Sequence, residues 1–355
     1  MMSFKKILIA VLVTLLLGAL VIVPLFSTHE EADNDPIAQF LIKDNLTMHL
    51  GDVIPLSIQL HDNEVDKIEL FIQDSLLKSW NKPNGKITLS FDSKSYLLGT
   101  KSIRFLAYKK GAVVFEDARL LRILSDIAPL KMKANVISTL PHNPLHFTQG
   151  LEFSNGELFE STGQNGASIV AKINVQTGMP LSQIGLDATY FGEGITVINN
   201  KVYQLTWREQ KCFVYDQKTL ALESDMSYIG EGWGLCNNGK QLIMSDGTER
   251  LYFRNPSNFQ VIKTIEVYDH FGPKVRLNEL EFIDGKIYAN VWMEDIILVI
   301  DPISGKVLSE VDCADVVLAG KNGGEVLNGI AYNSNAKKTY LTGKNWGKLV
   351  EVSIK

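Results

Sequence analysis

The sequence predicts an all-β protein: a five-bladed β-propeller preceded by an immunoglobulin-like β-sandwich and an N-terminal transmembrane or signal helix. Three observations predict it. Five stretches that open alike begin at Gln149, Glu193, Trp233, Asn278 and Asn328, a spacing of roughly 40–50 residues that matches a blade of short strands. Residues 37–128 carry a different pattern, short alternating strands without a repeat, as in a two-sheet sandwich. Ahead of both, Ile7–Phe26 is apolar apart from Thr14, Gly18 and Pro24.

The N-terminal run is flanked by Lys5 and Lys6 before it and by acidic residues after it, an order that suits export. As a helix, about twenty such residues span about 30 Å, the thickness of a bilayer core. Pro24-Leu25-Phe26 is a poor cleavage site, which favours an uncleaved anchor over residues 1–27. A cleaved signal peptide is the alternative. Either way the rest of the chain is expected outside the cytoplasm, in a periplasm or at the cell surface, with residues 7–26 as its membrane contact. Residues 28–36 are polar, end at Pro36 and read as a tether.

The sandwich spans residues 37–128. Its strands are expected at Leu46–Leu50, Val53–Leu60, Lys67–Gln73, Lys86–Phe91, Lys101–Tyr108 and Ala112–Leu124. Alternation such as Ile68-Glu69-Leu70-Phe71-Ile72 suits a strand with one buried face. No chemical motif falls here, so this part reads as a spacer or docking module.

The propeller is expected over residues 134–355. Each unit runs strand, tight turn, strand, with Asn155-Gly156 and Asp284-Gly285 among the turns; such pairs adopt the positive φ that short hairpins need. Further strands follow, as at Phe213–Tyr215 and Ile262–Ile265. The last unit offers three strands, ending near Leu349–Val352. Its fourth is expected from Ala134–Leu140, which closes the ring and covers an exposed edge.

Two positions recur in every unit. The first begins the inner strand: Gln149, Glu193, Trp233, Asn278 and Asn328. The second lies across the hairpin: Gly163, Trp207, Gly247 and Trp292, with Gly343-Lys344-Asn345-Trp346 in the last unit. Strand-initial residues gather at one mouth of a propeller. Glu193, Trp207, Trp233, Asn278, Trp292 and Lys344 are therefore expected in one pocket, with Gln149, Asn328 and Trp346 as further lining candidates. A buried glutamate and lysine without a task cost stability, so packing alone does not explain the set.

The segments PHNPLHFTQGLEF, LFESTG, YFGEGIT, GWGL, MSDGT, RLNELEF, ANVW, LNGIAY and TGKNW resemble the plant and bacterial type of glutaminyl-peptide cyclotransferase over about residues 136–355. The resemblance implies a five-bladed propeller that converts N-terminal glutamine to pyroglutamate and releases ammonia, unrelated to the zinc-dependent animal type. It implies that Glu193 is the acid/base, that Asn278 and Lys344 are catalytic, and that Trp207, Trp233 and Trp292 bind substrate. The motif ending the second strand departs slightly, as Gln204-Leu205-Thr206-Trp207, but keeps the tryptophan. The N-terminal run and the sandwich lie outside the resemblance.

The chemistry suits these residues on its own terms. The substrate's α-amine attacks its own side-chain carboxamide, so proximity comes from the substrate and no enzyme nucleophile is needed. One carboxyl can take the amine proton and deliver it to the departing ammonia, and desolvation by the tryptophans raises the pKa of Glu193 toward that task. Asn278 or Lys344 can hold the oxyanion; Lys344 can equally hold the Glu193 charge or the peptide backbone. The tryptophans are expected to sandwich the flat glutamine side chain.

Other features fit less chemistry. No cofactor is expected. His142 and His146 sit in a Pro-containing loop without a third ligand at zinc spacing. Glu279 and Glu281 leave room for a structural cation in the channel. Cys212, Cys236 and Cys313 are an odd number and read as buried small hydrophobes. A net charge of −5 without a long basic run excludes nucleic acid as the natural partner. Two other functions compete: a metal-dependent propeller lactonase, which needs several carboxylates on one ion, and a non-catalytic propeller that binds peptides.

Overall fold

The computed structural model describes residues 36–355. The expected helix at 7–26 and most of the tether lie outside them. Among the described residues no helix is long and apolar enough to cross a membrane. The protein is all-β.

Residues 38–124 form eight strands in two sheets around one apolar core. Strands β1 (Ala38–Phe40), β3 (Val53–Leu60) and β6 (Lys86–Asp92) make the smaller sheet. The larger has the order β2-β8-β7-β4-β5, from β2 (Leu46–His49), β8 (Ala112–Leu124), β7 (Gly99–Lys109), β4 (Lys67–Ile72) and β5 (Ser75–Asn81). The alternation read at residues 68–72 is real: Ile68, Leu70 and Ile72 are buried between the sheets. Two strands escape the sequence reading. β1 is three residues long, too short to alternate. β5 is an edge strand with no buried residue, so it has no apolar face to show.

Beyond residue 128 the chain repeats four-stranded antiparallel sheets: β10–β13 (148–185), β14–β17 (192–227), β18–β21 (235–266) and β22–β25 (277–312). β26–β28 (327–354) add three more strands. Their fourth neighbour is β9 (Leu130–Pro141), which pairs antiparallel with β28 (Lys348–Ile354). β9 starts four residues earlier than expected because Leu130–Lys133 first pair in parallel with β25 (Val307–Asp312), joining two repeats into one eight-stranded sheet. A short helix, α1 (Ala314–Gly320), leads into the last repeat.

The innermost strands are β10 (Thr148–Ser154), β14 (Gly192–Ile198), β18 (Leu235–Asn237), β22 (Leu277–Ile283) and β26 (Leu327–Asn333). Each packs on the next, and β26 packs back on β10. This closeness needs small residues. A Cβ on Gly234 would lie 1.9 Å from the Asn278 carbonyl oxygen. Glu279 fills the space on the axis instead. Its Oε1 accepts the Leu151 N–H at 3.2 Å and its Oε2 the Ile330 N–H at 2.8 Å, tying β22 to β10 and β26. Glu281 accepts the Tyr332 N–H at 3.0 Å. Glu152 accepts from the Thr196 hydroxyl and, at 3.2 Å, from Asn237 Nδ2. Burial raises the pKa of all three carboxyls. All three cysteines are free and buried.

The two parts touch through β7 and the end of β21 (Val261–Glu266) with the segment that follows it. Glu266 Oε2 accepts the Thr100 N–H at 3.2 Å. Gly99, at φ 107°, leaves the room this requires, since a Cβ there would lie 1.9 Å from Glu266 Oε2. Tyr268 is buried in the core of the first part, and Asp126 pairs with Lys306 at 2.6 Å.

The channel acids predict a pH effect. Burial pushes the Glu152 carboxyl from 4.5 up to about 8, against the Thr196, Val197 and Asn237 hydrogen bonds. The folded chain therefore holds a proton there that the unfolded chain releases, and this contribution to stability declines as pH rises from 4.5 to about 8. Glu152→Gln keeps the shape and removes the titration. Its Tm is expected to fall less than the parent's over that window. Parallel Tm-against-pH curves from scanning calorimetry would contradict this.

Candidate active site

The site lies at one mouth of the ring because the backbone brings two recurring positions together there. In each of four repeats the residue two before the recurring first position accepts a backbone hydrogen bond from across the hairpin, Phe147 O from the Gly163 N–H at 2.8 Å among them. Phe191 O accepts from the Trp207 N–H at 2.9 Å, Arg276 O from Trp292 at 2.9 Å and Val326 O from Lys344 at 3.0 Å. Lys344 thus occupies in the last repeat the place Trp207 and Trp292 hold in theirs.

All six residues expected in the pocket, and Gln149 from the three further candidates, line one cavity of about 540 Å³. They are Gln149, Glu193 and Asn278 from inner-strand starts, Trp233 just before β18, and Trp207, Trp292 and Lys344 from across the hairpins. Two further candidates do not reach it. Trp346 is fully buried in the core of the last repeat, with Nε1 donating to Glu325 O at 3.1 Å. Asn328 lies beneath the cavity, and its Nδ2 donates to Gln149 Oε1 at 3.1 Å. Gln149 passes the orientation on: its Nε2 donates to Glu193 Oε1 at 3.0 Å. Among the described residues Glu193 Oε2 accepts nothing, so it is left for a ligand.

Burial holds the Glu193 carboxyl well above its ordinary range; Lys344 pulls it down, while Glu231 and Glu209 push it further up. Burial lowers the pKa of Lys344, against the pull of Glu193 and Glu325. Its Nζ sits 4.8 Å from the Phe147 ring centroid. Asn278 is buried, and among the described residues its Oδ1 has no partner. A buried amide oxygen without a donor costs free energy until a ligand supplies one.

The aromatic walls differ from the expected sandwich. Trp233 and Trp292 meet edge to face, 5.7 Å apart with planes at 89°. Trp207 meets Phe191 at 5.7 Å and 61°. The rings form a corner, which grips a flat group by face and edge. Sequence reasoning missed Arg208, Met293 and Glu325 on the lining, and with them Phe147, Phe191, Glu231 and Val326. Arg208 and Met293 directly follow the tryptophans Trp207 and Trp292, and Glu325 precedes Val326. The other four share a position. Each stands two residues before a repeat start, and side chains two apart share a strand face. That spacing was the available signal.

His142 and His146 do have a third partner. His142 Nε2 lies 3.0 Å from Glu160 Oε1 and His146 Nδ1 2.7 Å from Glu160 Oε2. Thr148 Oγ1 donates to Glu160 Oε1 at 2.8 Å, and His142 Nδ1 donates to Trp346 O at 2.7 Å. These donor atoms lie within 4.8 Å of one another, close enough for a metal ion. Protons alone satisfy every one of them, with His142 as an imidazolium. Burial opposes that charge and the Glu160 carboxylate outweighs it. The cluster ties the loop before β10 to the turn that carries Lys344, whose neighbour Asn345 donates its N–H to His146 O at 2.8 Å.

Comparisons with known proteins agree in direction. Residues 112–354 match the family model described as glutamine cyclotransferase. A glutaminyl-peptide cyclotransferase of Arabidopsis thaliana is 39% identical over 228 residues, covering 62% of this chain and 71% of that protein. The crystal structure of Myxococcus xanthus glutaminyl cyclase superposes with a TM-score of 0.60 at 34% identity, covering 64% of this chain and 98% of that one.

The buried His142–Glu160–His146 cluster carries a prediction of its own. Glu160→Gln removes the carboxylate that keeps the proton on His142, so burial returns that imidazole to neutral and the broken pair costs about 3 kcal/mol. Denaturant unfolding is expected to show it as a lower midpoint, and a chelator is expected to leave the parent's midpoint unmoved.

Proposed function

The chain belongs to the glutamine cyclotransferase family, and from that premise we infer that its cavity converts the N-terminal glutamine of peptides and proteins into pyroglutamate, releasing ammonia. The observation that carries the reading is Glu193, a buried carboxyl of raised pKa with one oxygen held and the other open to an aromatic-walled cavity.

The reaction follows from what surrounds that oxygen. The glutamine side chain enters the corner of Trp207, Trp233 and Trp292, and water is excluded. Asn278 Oδ1, which lacks a donor, accepts from a substrate N–H. The α-amine nitrogen attacks the side-chain carboxamide carbon, closing a five-membered ring. Lys344 stabilises the oxygen that becomes negative. Glu193 takes the proton the amine loses and gives it to the leaving nitrogen. The C–N bond to that nitrogen then breaks, and ammonia departs. An ordinary carboxyl is too weak a base for an amine and too rarely protonated to act as an acid at neutral pH; a raised pKa serves both steps.

No metal enters this reading. The ammonium of Lys344 opposes a divalent ion in the cavity, which weighs against a metal-dependent lactonase. The backbone N–H groups on Glu279 and Glu281 support a channel closed by hydrogen bonds rather than by a cation. The cyclic packing of the inner strands supports a five-bladed propeller over 134–355. The strand order β1-β3-β6 and β2-β8-β7-β4-β5, with β2 parallel to β8, supports an immunoglobulin-like sandwich over 37–128. The apolar run at 7–26 supports a signal anchor and an extracytoplasmic site of action.

Ammonia release from a Gln-initiated dipeptide tests the activity, with and without chelator; equal rates are expected. Glu193→Gln is expected to abolish turnover while binding persists. An undiminished rate in that variant would remove Glu193 from the mechanism. Lys344→Met is expected to lower kcat/KM by about 100–1000-fold, the usual loss for one oxyanion donor. It is also expected to move the acidic limb of the pH profile upward, because Lys344 holds the Glu193 pKa down.

A further inference from the structure

The cavity contains a second carboxylate that the reaction above does not use. Glu231 Oε2 accepts from Trp207 Nε1 at 2.8 Å and from Trp233 Nε1 at 3.0 Å. Its Oε1 accepts from Arg208 Nε at 3.0 Å. The Arg208 guanidinium in turn lies 3.8 Å from the Trp207 ring centroid. Two indoles from different repeats and one guanidinium thus converge on a single side chain.

We propose that Glu231 is a positioning residue for the cyclisation, fixing the planes of Trp207 and Trp233 and so the pose of the glutamine side chain against Glu193. The inference rests on the cyclase reading of the same cavity. An indole N–H is a donor only, and a cavity-facing tryptophan without an acceptor is free to turn about its side-chain bonds. One shared oxygen removes that freedom from both rings together. It also couples them, since neither ring can swing without giving up the acceptor. Arg208 covers one face of Trp207 and leaves the other for substrate. Trp233, held by its N–H, meets Trp292 edge to face and completes the corner.

The same side chain acts on Glu193 through its charge. Burial pushes the Glu231 carboxyl up, but the Trp233, Trp207 and Arg208 donors outweigh this and hold it below its ordinary range. It stays ionised while the enzyme works. A fixed negative charge in the cavity disfavours a second one on Glu193. Alignment of the rings and protonation of the acid/base are therefore set by one residue.

The test compares full-length parent, Glu231→Ala and Glu231→Gln on a Gln-initiated dipeptide across pH, with thermal melts as a fold check. Glu231→Ala is expected to lower kcat/KM on the order of 10–100-fold, mostly in kcat, the scale of a misplaced substrate. Glu231→Gln keeps an oxygen for the indoles and is expected to recover part of kcat. Both variants lack the charge, so in both the acidic limb of kcat/KM is expected to move to lower pH. A purely structural residue lowers Tm without moving that limb. An active parent whose variants keep its limb, or whose Gln variant is no better than Ala, overturns the inference alone. A parent that releases no ammonia overturns the cyclase reading and this inference with it. Should the Ala variant fail to fold, the limb of the Gln variant decides.

Discussion

Everything at the mouth of the ring depends on how closely five inner strands approach one another near the axis. In four repeats the residue after the strand start is a glycine, and Gly234 shows why: any side chain there would strike the next strand. In the fourth repeat the chain places Glu279 instead, and that side chain spans the gap the glycines leave. Its two oxygens meet backbone N–H groups of two different strands, a bond that neither strand could make with the other. An acidic side chain on the axis thus bridges strands here, and its burial is tolerated because both oxygens accept hydrogen bonds. This contact fixes β10, β22 and β26 against one another. A shift of β10 or β22 would carry Gln149 or Asn278 out of register with Glu193.

Three glutamates in this ring show how surroundings decide the fate of one functional group. Glu160 faces two imidazoles and a hydroxyl, and it is held as a carboxylate. Glu193 is as deeply buried, yet among the described residues its one direct partner is the Gln149 amide, and burial holds its pKa up. Glu231 is partly open and accepts three donors, and it stays charged. Burial pushes all three in the same direction, so the difference lies in the number and kind of donors.

Much of this was legible in the sequence because the repeat carries its own alignment. Once the five starts are stacked, the cavity residues Gln149, Glu193, Trp233 and Asn278 fall into one column, and Trp207 and Trp292 into a second. The borrowed outer strand followed from counting strands. What stayed hidden was of two kinds. Some signals were present but periodic at two residues rather than at the repeat, such as Phe147, Phe191 and Glu231 ahead of their starts. Others depend on contacts across the fold. Glu160 meets His142 and His146 through strand pairing that no spacing rule for metal ligands describes. Trp346 sits two residues past Lys344, yet the turn between them sends one side chain to the cavity and the other into the core. The edge strand Ser75–Asn81 has no buried face, so nothing in its composition marks it.

The parentage of β9 has a consequence for how the enzyme comes into being. The strand that seals the ring is made before any repeat, and its partner, Lys348–Ile354, is made last. A growing chain can lay down sheet after sheet and still have no finished circle, because β9 meets its partner only once residues 348–354 have been made. Until then the loop holding His146 and the turn holding Lys344 are apart, and the cup has no cation. A polypeptide that stopped short of Lys344 would therefore keep Trp207, Trp233, Trp292 and Glu193, yet its ring would stay open and its cavity would lack the lysine.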